Sequence, residues 1–139
     1  MVAGNLNVKL RKAKLKRDTE FFGKMDPYCM ITIGNIHVWK SQVIKDGGVR
    51  PNFHNENTQF LLHDHENTTP FIKFSIFDKE SFKSKDDLIA EGTFELAQLL
   101  QYKTREYDGD VKLFFGGKEA GSIEILMKLH EFENQEEHK

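Results

Sequence analysis

The chain has 139 residues, a length typical of one domain, and a formal net charge of −2 from 20 Lys and Arg against 22 Asp and Glu. This balance argues against a nucleic-acid-binding protein, and the twelve Phe argue against a disordered chain. The single Cys, Cys29, excludes an internal disulfide, and no apolar stretch suits a signal peptide or a membrane span, so we expect a cytoplasmic protein.

Short stretches of alternating apolar and polar residues predict strands along the chain. These stretches are 5–10, 26–34, 37–44, 59–65, 70–78, 91–96, 111–115 and 122–132. The stretch 95–103 differs, because Leu96, Leu99, Leu100 and Lys103 share a helical face and predict one short helix. Strands separated by frequent turns predict an all-β sandwich. We expect one domain over 1–131 and a polar C-terminal tail over 132–139.

Acidic residues concentrate in two loop-like stretches that border strong predicted strands. The acids of these stretches are Asp18, Glu20 and Asp26 in the first, and Asp78, Glu80, Asp86 and Asp87 in the second. Calcium takes about six to eight oxygen ligands, often from several carboxylates. If the fold joins the two stretches, their carboxylates repel one another unless a cation is present. Simple solvation of acids in loops is the alternative explanation.

Three parts of the sequence resemble the C2 domain family: 22–34, 39–53 and 74–92. The specific features are the Gly-x-x-Asp-Pro-Tyr element at 23–28 and the strand ending at Asp78, which is followed by a second acid and then Asp-Asp-x-Ile. The resemblance implies an eight-stranded antiparallel sandwich whose loops, in many members, bind calcium and then phospholipid. The order of the strands is similar to the phospholipase C type.

Carried over position by position, the resemblance implies a calcium site in the two acidic loops. Its ligands would be Glu20, Asp26, Asp78, Glu80 and either Asp86 or Asp87, converging at one end of the sandwich. Spacing favours Asp86, whereas the following Leu-Ile favours Asp87, because one residue is inserted near 83–85. Glu20 and Glu80 stand where the family has Asp, and their longer side chains affect the expected calcium affinity.

Aromatic and basic residues in the same loops predict contact with a membrane. The predicted membrane-contact residues are Phe21, Phe22, Lys24, Phe82, Lys83 and Lys85. A Phe that enters the acyl boundary gains about 1.5–3 kcal/mol, and each basic group near an anionic leaflet adds about 1 kcal/mol. Packing beneath the loop is the alternative for Phe22. A second, weaker basic set, Lys40, Lys45 and Arg50, lies where some relatives bind phosphoinositide head groups.

These observations predict a calcium-dependent phospholipid-binding module that reaches anionic membranes from the cytoplasm. No nucleophile elbow, phosphate loop or triad motif is present in the sequence, so we expect no enzyme activity. The alternative is a calcium-independent C2 domain that serves as a protein-binding or structural subunit. The replacement of Asp by Glu at positions 20 and 80 favours this alternative.

Overall fold

The computed structural model describes residues 2–63, 71–82 and 84–132. Within these residues the chain forms eight antiparallel strands and a short 3-10 helix, Leu96–Gln101. The strands are β1 (Gly4–Leu15), β2 (Pro27–Ile33), β3 (His37–Lys40), β4 (Asn52–Leu62), β5 (Phe71–Asp78), β6 (Asp87–Glu95), β7 (Glu106–Phe115) and β8 (Lys118–Glu131). The predicted end of the fourth strand, the membrane-contact residue Lys83 and tail residues 133–139 lie outside the described residues.

The strands form one continuous sheet in the order β3-β2-β5-β6-β7-β8-β1-β4. Neighbouring strands share runs of paired residues, except that β6 and β7 are joined through one pair, Glu91 opposite Phe114. At this seam the sheet divides into two layers of four strands, and buried side chains from both layers form one core. The predicted antiparallel sandwich is therefore confirmed. Among the described residues, no helix is long and apolar enough to cross a bilayer.

Strand β1 shows how the sequence pattern builds this core. Leu6, Val8 and Leu10 alternate with more exposed residues and are fully buried. After Leu10 the register shifts against both neighbouring strands, which marks a β-bulge. Beyond the bulge, Ala13 and Leu15 take the inward positions. The bulge resets the alternation, so the strand continues well past the predicted stretch 5–10.

The observed helix and several strand limits differ from the predicted ones. The helix covers Leu96–Gln101 instead of 95–103, and its buried residues, Leu96 and Leu99, are three positions apart, as the 3-10 geometry requires. Strand β3 ends at Lys40, after which residues 41–44 follow β2 irregularly. Strands β4 and β6 begin earlier than predicted, and Asp87 becomes the first residue of β6.

Candidate calcium and membrane site

Two loops of the sandwich carry the predicted acidic residues. The first loop, 16–26, connects β1 to β2, and the third loop, 79–86, connects β5 to β6. Pro27, directly after the first loop, pairs with Asp78, directly before the third loop, and Asp78 also pairs with Asp87. Because the two loops begin and end on paired residues of neighbouring strands, both lie at the same end of the sandwich.

Three carboxylates at this end of the sandwich form an acidic cluster, which consists of Glu20 of the first loop, Asp78 at the end of β5 and Glu80 of the third loop. One carboxylate oxygen from each residue lies within 4.8 Å of those of the other two. Asp78 is only 1% exposed, whereas Glu20 and Glu80 are partly exposed. Carboxylate oxygens are the ligands that calcium prefers, and three carboxylates can each bind in a bidentate mode. The donor set of the acidic cluster therefore fits a hard divalent cation.

Asp78 is held in place by hydrogen bonds from the first loop. The hydroxyl of Thr19 donates to Asp78 Oδ2 at 2.8 Å, and the backbone N–H of Asp26 donates to Asp78 Oδ1 at 2.8 Å. These bonds orient a carboxylate that is almost fully removed from water. The sequence analysis did not identify Thr19; its only signal is a hydroxyl residue adjacent to Glu20 in a predicted ligand loop.

The acidic cluster perturbs the protonation of Glu20. A hydrogen bond with Asp78, partial burial, and the charges of Asp78 and Glu80 together raise the pKa of Glu20 to about 7. Close carboxylates disfavour full ionisation, so a proton reduces the repulsion when no cation does so. A cation bound by these carboxylates would therefore compete with a proton for the same place.

Asp26 lies beside the acidic cluster but is outside the group of three carboxylates. Its Oδ1 accepts a hydrogen bond of 2.7 Å from the backbone N–H of Asp46, in the second loop, 41–51. Its carbonyl oxygen accepts a hydrogen bond from the N–H of Lys79. Asp26 thus connects all three loops, and this connection depends on tertiary contacts that the sequence pattern did not reveal.

Asp86 and Asp87 occupy different positions with respect to the acidic cluster. Asp86 accepts hydrogen bonds from the Tyr28 hydroxyl at 2.6 Å and from the Glu80 N–H at 3.0 Å. Burial alone would raise the pKa of Asp86, but these two donors and the Lys79 ammonium hold it below its ordinary value. Asp87 instead pairs with Asp78 across the β5–β6 ladder.

The predicted membrane-contact aromatics all face solvent. Phe21 is 91% exposed, Phe22 is 83% exposed and Phe82 is fully exposed. Phe22 therefore does not pack beneath the first loop; its ring instead meets that of Phe21 edge to face, with centroids 4.8 Å apart. Lys24 and Lys85 are exposed beside these rings in sequence. The two loops that hold the acidic cluster thus also present apolar tips.

The second basic set is exposed, and one of its members belongs to a wider group of cations. Lys40 ends β3, whereas Lys45 and Arg50 lie in the second loop. Arg50 lines a cavity of about 410 Å³ together with Lys12 and Lys14 of β1. The sequence analysis overlooked these two lysines, although residues 9–17 hold six of the 20 basic residues and no acid.

Comparisons with known proteins agree with this architecture. The model of the C2 domain family matches residues 4–112. Over 96 residues, or 69% of this chain, the sequence is 35% identical to 16 kDa phloem protein 2 of Arabidopsis thaliana, and the match covers 61% of that relative. The chain thus spans about three fifths of the curated relative's length.

Among the solved structures with a similar fold, two examples each cover 96% of this chain. A C2 domain-containing protein aligns with a TM-score of 0.76 and 25% identity, over 96% of this chain and 93% of its own. A C2 domain of plant Extended Synaptotagmin 1 aligns with a TM-score of 0.78 and 20% identity, over 96% of this chain and 99% of its own. At 20% identity, the second likeness establishes a shared fold alone.

Proposed function

The chain belongs to the C2 domain family, and from that premise we propose that it is a calcium-dependent module that binds anionic phospholipid at the cytoplasmic face of a membrane. The observation that carries the proposal is the coincidence of two features in the same pair of loops. The acidic cluster offers ligands for a cation, and Phe21, Phe22 and Phe82 project fully or almost fully into solvent beside it. We assign the protein no catalytic step.

The proposed mechanism begins with electrostatic repulsion. Without a cation, the acidic cluster opposes the approach of an anionic leaflet. Glu20, Asp78 and Glu80 would hold calcium, which supplies positive charge and cancels this repulsion. The aromatic tips then enter the acyl boundary, each with a gain of about 1.5–3 kcal/mol, and Lys24 and Lys85 meet the lipid phosphates. Lys83 adds a further cation to the third loop.

The first test measures calcium binding without lipid. Calorimetric titration of the chain should give heat of binding that Glu20→Gln or Asp78→Asn removes or strongly reduces. Asp110→Asn is the control, because Asp110 is an exposed acid of β7 outside the acidic cluster. Two independent variants are used because Asp78 is buried and its substitution can also disturb folding. Equal calcium binding by all four proteins would contradict the assigned ligands.

The second test measures docking on phosphatidylserine vesicles by co-sedimentation, with calcium or with a chelator. Binding should require calcium, and Phe82→Ala should weaken it by about 1–3 kcal/mol without altering calcium affinity in the absence of lipid. Phe71→Ala is the matched control, because Phe71 is a half-exposed Phe at the other end of β5. Equal sedimentation in calcium and in chelator would rule out the calcium switch.

A second candidate function is calcium-independent binding of a protein partner. The observation that favours it is that both oxygens of Asp78 already accept hydrogen bonds, from Thr19 and from the Asp26 N–H. A proton on Glu20 can also relieve the repulsion in the acidic cluster without any metal. An absence of calcium binding in the titration, together with an absence of vesicle binding in both conditions, would favour this candidate.

A further inference from the structure

Asp86 has a more enclosed position than an exposed loop acid. Its side chain is 17% exposed and lies between the third loop and β2. Oδ2 accepts the Tyr28 hydroxyl at 2.6 Å, and Oδ1 accepts the Glu80 N–H at 3.0 Å. The Lys79 ammonium also lies 3.7 Å from Oδ2. Both carboxylate oxygens therefore already have donors from the protein itself.

These contacts close the third loop on itself and attach it to the sheet. The hydrogen bond from the Glu80 N–H to Asp86 joins the two ends of the segment 80–86, which contains the tip residue Phe82. The Tyr28 hydroxyl then connects that closed segment to β2. The Tyr28 ring stacks on Phe77 of β5, with centroids 5.6 Å apart, so the donor is itself held firmly.

The strand register gives Asp87 a different position. Asp87 pairs directly with Asp78, and residues that pair across an antiparallel ladder project to the same side of the sheet. Asp78 belongs to the acidic cluster. Asp87 therefore lies next to the cluster, whereas Asp86 is engaged with Tyr28 and with the start of its own loop.

We propose that Asp86 is a positioning residue. Its hydrogen bonds from the Tyr28 hydroxyl and the Glu80 N–H form a latch that attaches the third loop to β2. The latch sets the position of Glu80, a member of the acidic cluster, and of Phe82 before any cation arrives. The expected effect of the latch on calcium binding rests on the proposed function. The latch itself is a property of the calcium-free protein and can be tested without metal.

The latch is tested in the calcium-free protein by measuring hydrogen exchange of the Glu80 amide by NMR. Tyr28→Phe and Asp86→Asn should each speed this exchange by about tenfold or more, the effect expected when a charge-assisted hydrogen bond is lost or weakened. Tyr28→Phe keeps the ring that stacks on Phe77. Tyr107→Phe is the control, because it removes a hydroxyl bonded to the Asp110 carbonyl in β7. Unchanged exchange in both Tyr28→Phe and Asp86→Asn would overturn the latch.

Calcium titration of the same variants tests whether Asp86 positions the third loop or binds the ion itself. Tyr28→Phe and Asp86→Asn should weaken calcium binding by similar factors of about three to ten, and the double variant should be no weaker than the weaker single variant. Asp87→Asn should weaken binding by well over tenfold. If Asp86→Asn weakens calcium binding by well over tenfold, and the double variant loses the product of the two single losses, Asp86 is a ligand and its positioning role is overturned. If the unaltered protein binds no calcium, the proposed function fails, while the exchange measurement still tests the latch.

Discussion

Glu20 shows how one side chain can connect pH, stability and metal binding. Its pKa in the folded protein is about 7, compared with 4.5 for an ordinary Glu. Between these values the folded state holds a proton that the unfolded state has lost. The contribution of Glu20 to stability therefore falls as pH rises from about 4.5 to about 7.

This sign gives a prediction about thermal stability in a chelator. We compare the melting temperature of the unaltered chain with that of Glu20→Gln. The difference, unaltered minus variant, should decrease between about pH 5 and about pH 8, because only the unaltered chain loses the Glu20 proton over this range. Scanning calorimetry measures both proteins, and the difference cancels the titration of other groups. Calcium at about pH 8 should raise the melting temperature of the unaltered chain by mass action. A difference that stays constant with pH would contradict the raised pKa of Glu20.

The residues of the site were predictable by type and by loop, but their individual roles were not. The pattern of acids placed Glu20, Asp78 and Glu80 in two stretches, the resemblance to C2 domains implied that these stretches converge, and the structure brings the three carboxylates together. Thr19 and the contact of Asp26 with the second loop could not be predicted, because hydrogen bonds between loops depend on three-dimensional proximity. The phospholipase C-type strand order stays a prediction.

At the scale of elements, periodicity predicted which faces of the strands are buried but not where the strands end. Alternation in β1 predicted Leu6, Val8 and Leu10 as core residues, all of which are buried. The bulge after Leu10 interrupts that period, so the continuation to Leu15 was missed. Asp87 likewise belongs to β6 because it pairs with Asp78, and strand register is a property of two strands together.

The seam between β6 and β7 gives a prediction about packing between strands. A Cβ on Gly92 would lie 2.0 Å from the carbonyl oxygen of Lys112, a backbone atom that cannot move aside without shifting β7. Gly92→Ala should therefore destabilise the fold by about 1–3 kcal/mol, as overpacking does. Thr93→Ala is the control, because Thr93 is an exposed neighbour whose change should stay within about 0.5 kcal/mol. Urea denaturation compares the two, and equal stabilities would contradict the close approach.

Over the whole molecule, the small net charge of −2 conceals a separation of charge. The acidic cluster occupies the loops, whereas Lys12 and Lys14 of β1 and Arg50 of the second loop line one cavity. None of these three cations forms an ion pair with another described residue. Since β1 leads directly into the first loop, the proposed docking of the loops would bring these cations towards lipid phosphates.

This layout predicts that the lysines of β1 contribute to membrane affinity. Lys12→Gln with Lys14→Gln should weaken binding to phosphatidylserine vesicles in calcium by about 10- to 30-fold, since each cation near an anionic leaflet is worth about 1 kcal/mol. The control pair, Lys103→Gln with Lys128→Gln, removes the same charge elsewhere on the molecule. Sedimentation at rising salt should reduce the difference, because screening acts on the lysine contribution. If both double variants lose the same vesicle affinity, the effect comes from the net charge and not from the position of the lysines on β1.

The order of the strands also determines when the fold can be completed during synthesis. β1 lies between β4 and β8, and Gly4 pairs with Glu131 near the far end of the described chain. A chain that emerges from the ribosome at about 5–20 residues per second thus holds one edge of its first strand unpaired until the last strand has been made. An unpaired strand edge is open to pairing with other chains. β1 carries lysines and an arginine, and charged side chains on an edge strand oppose pairing with other chains.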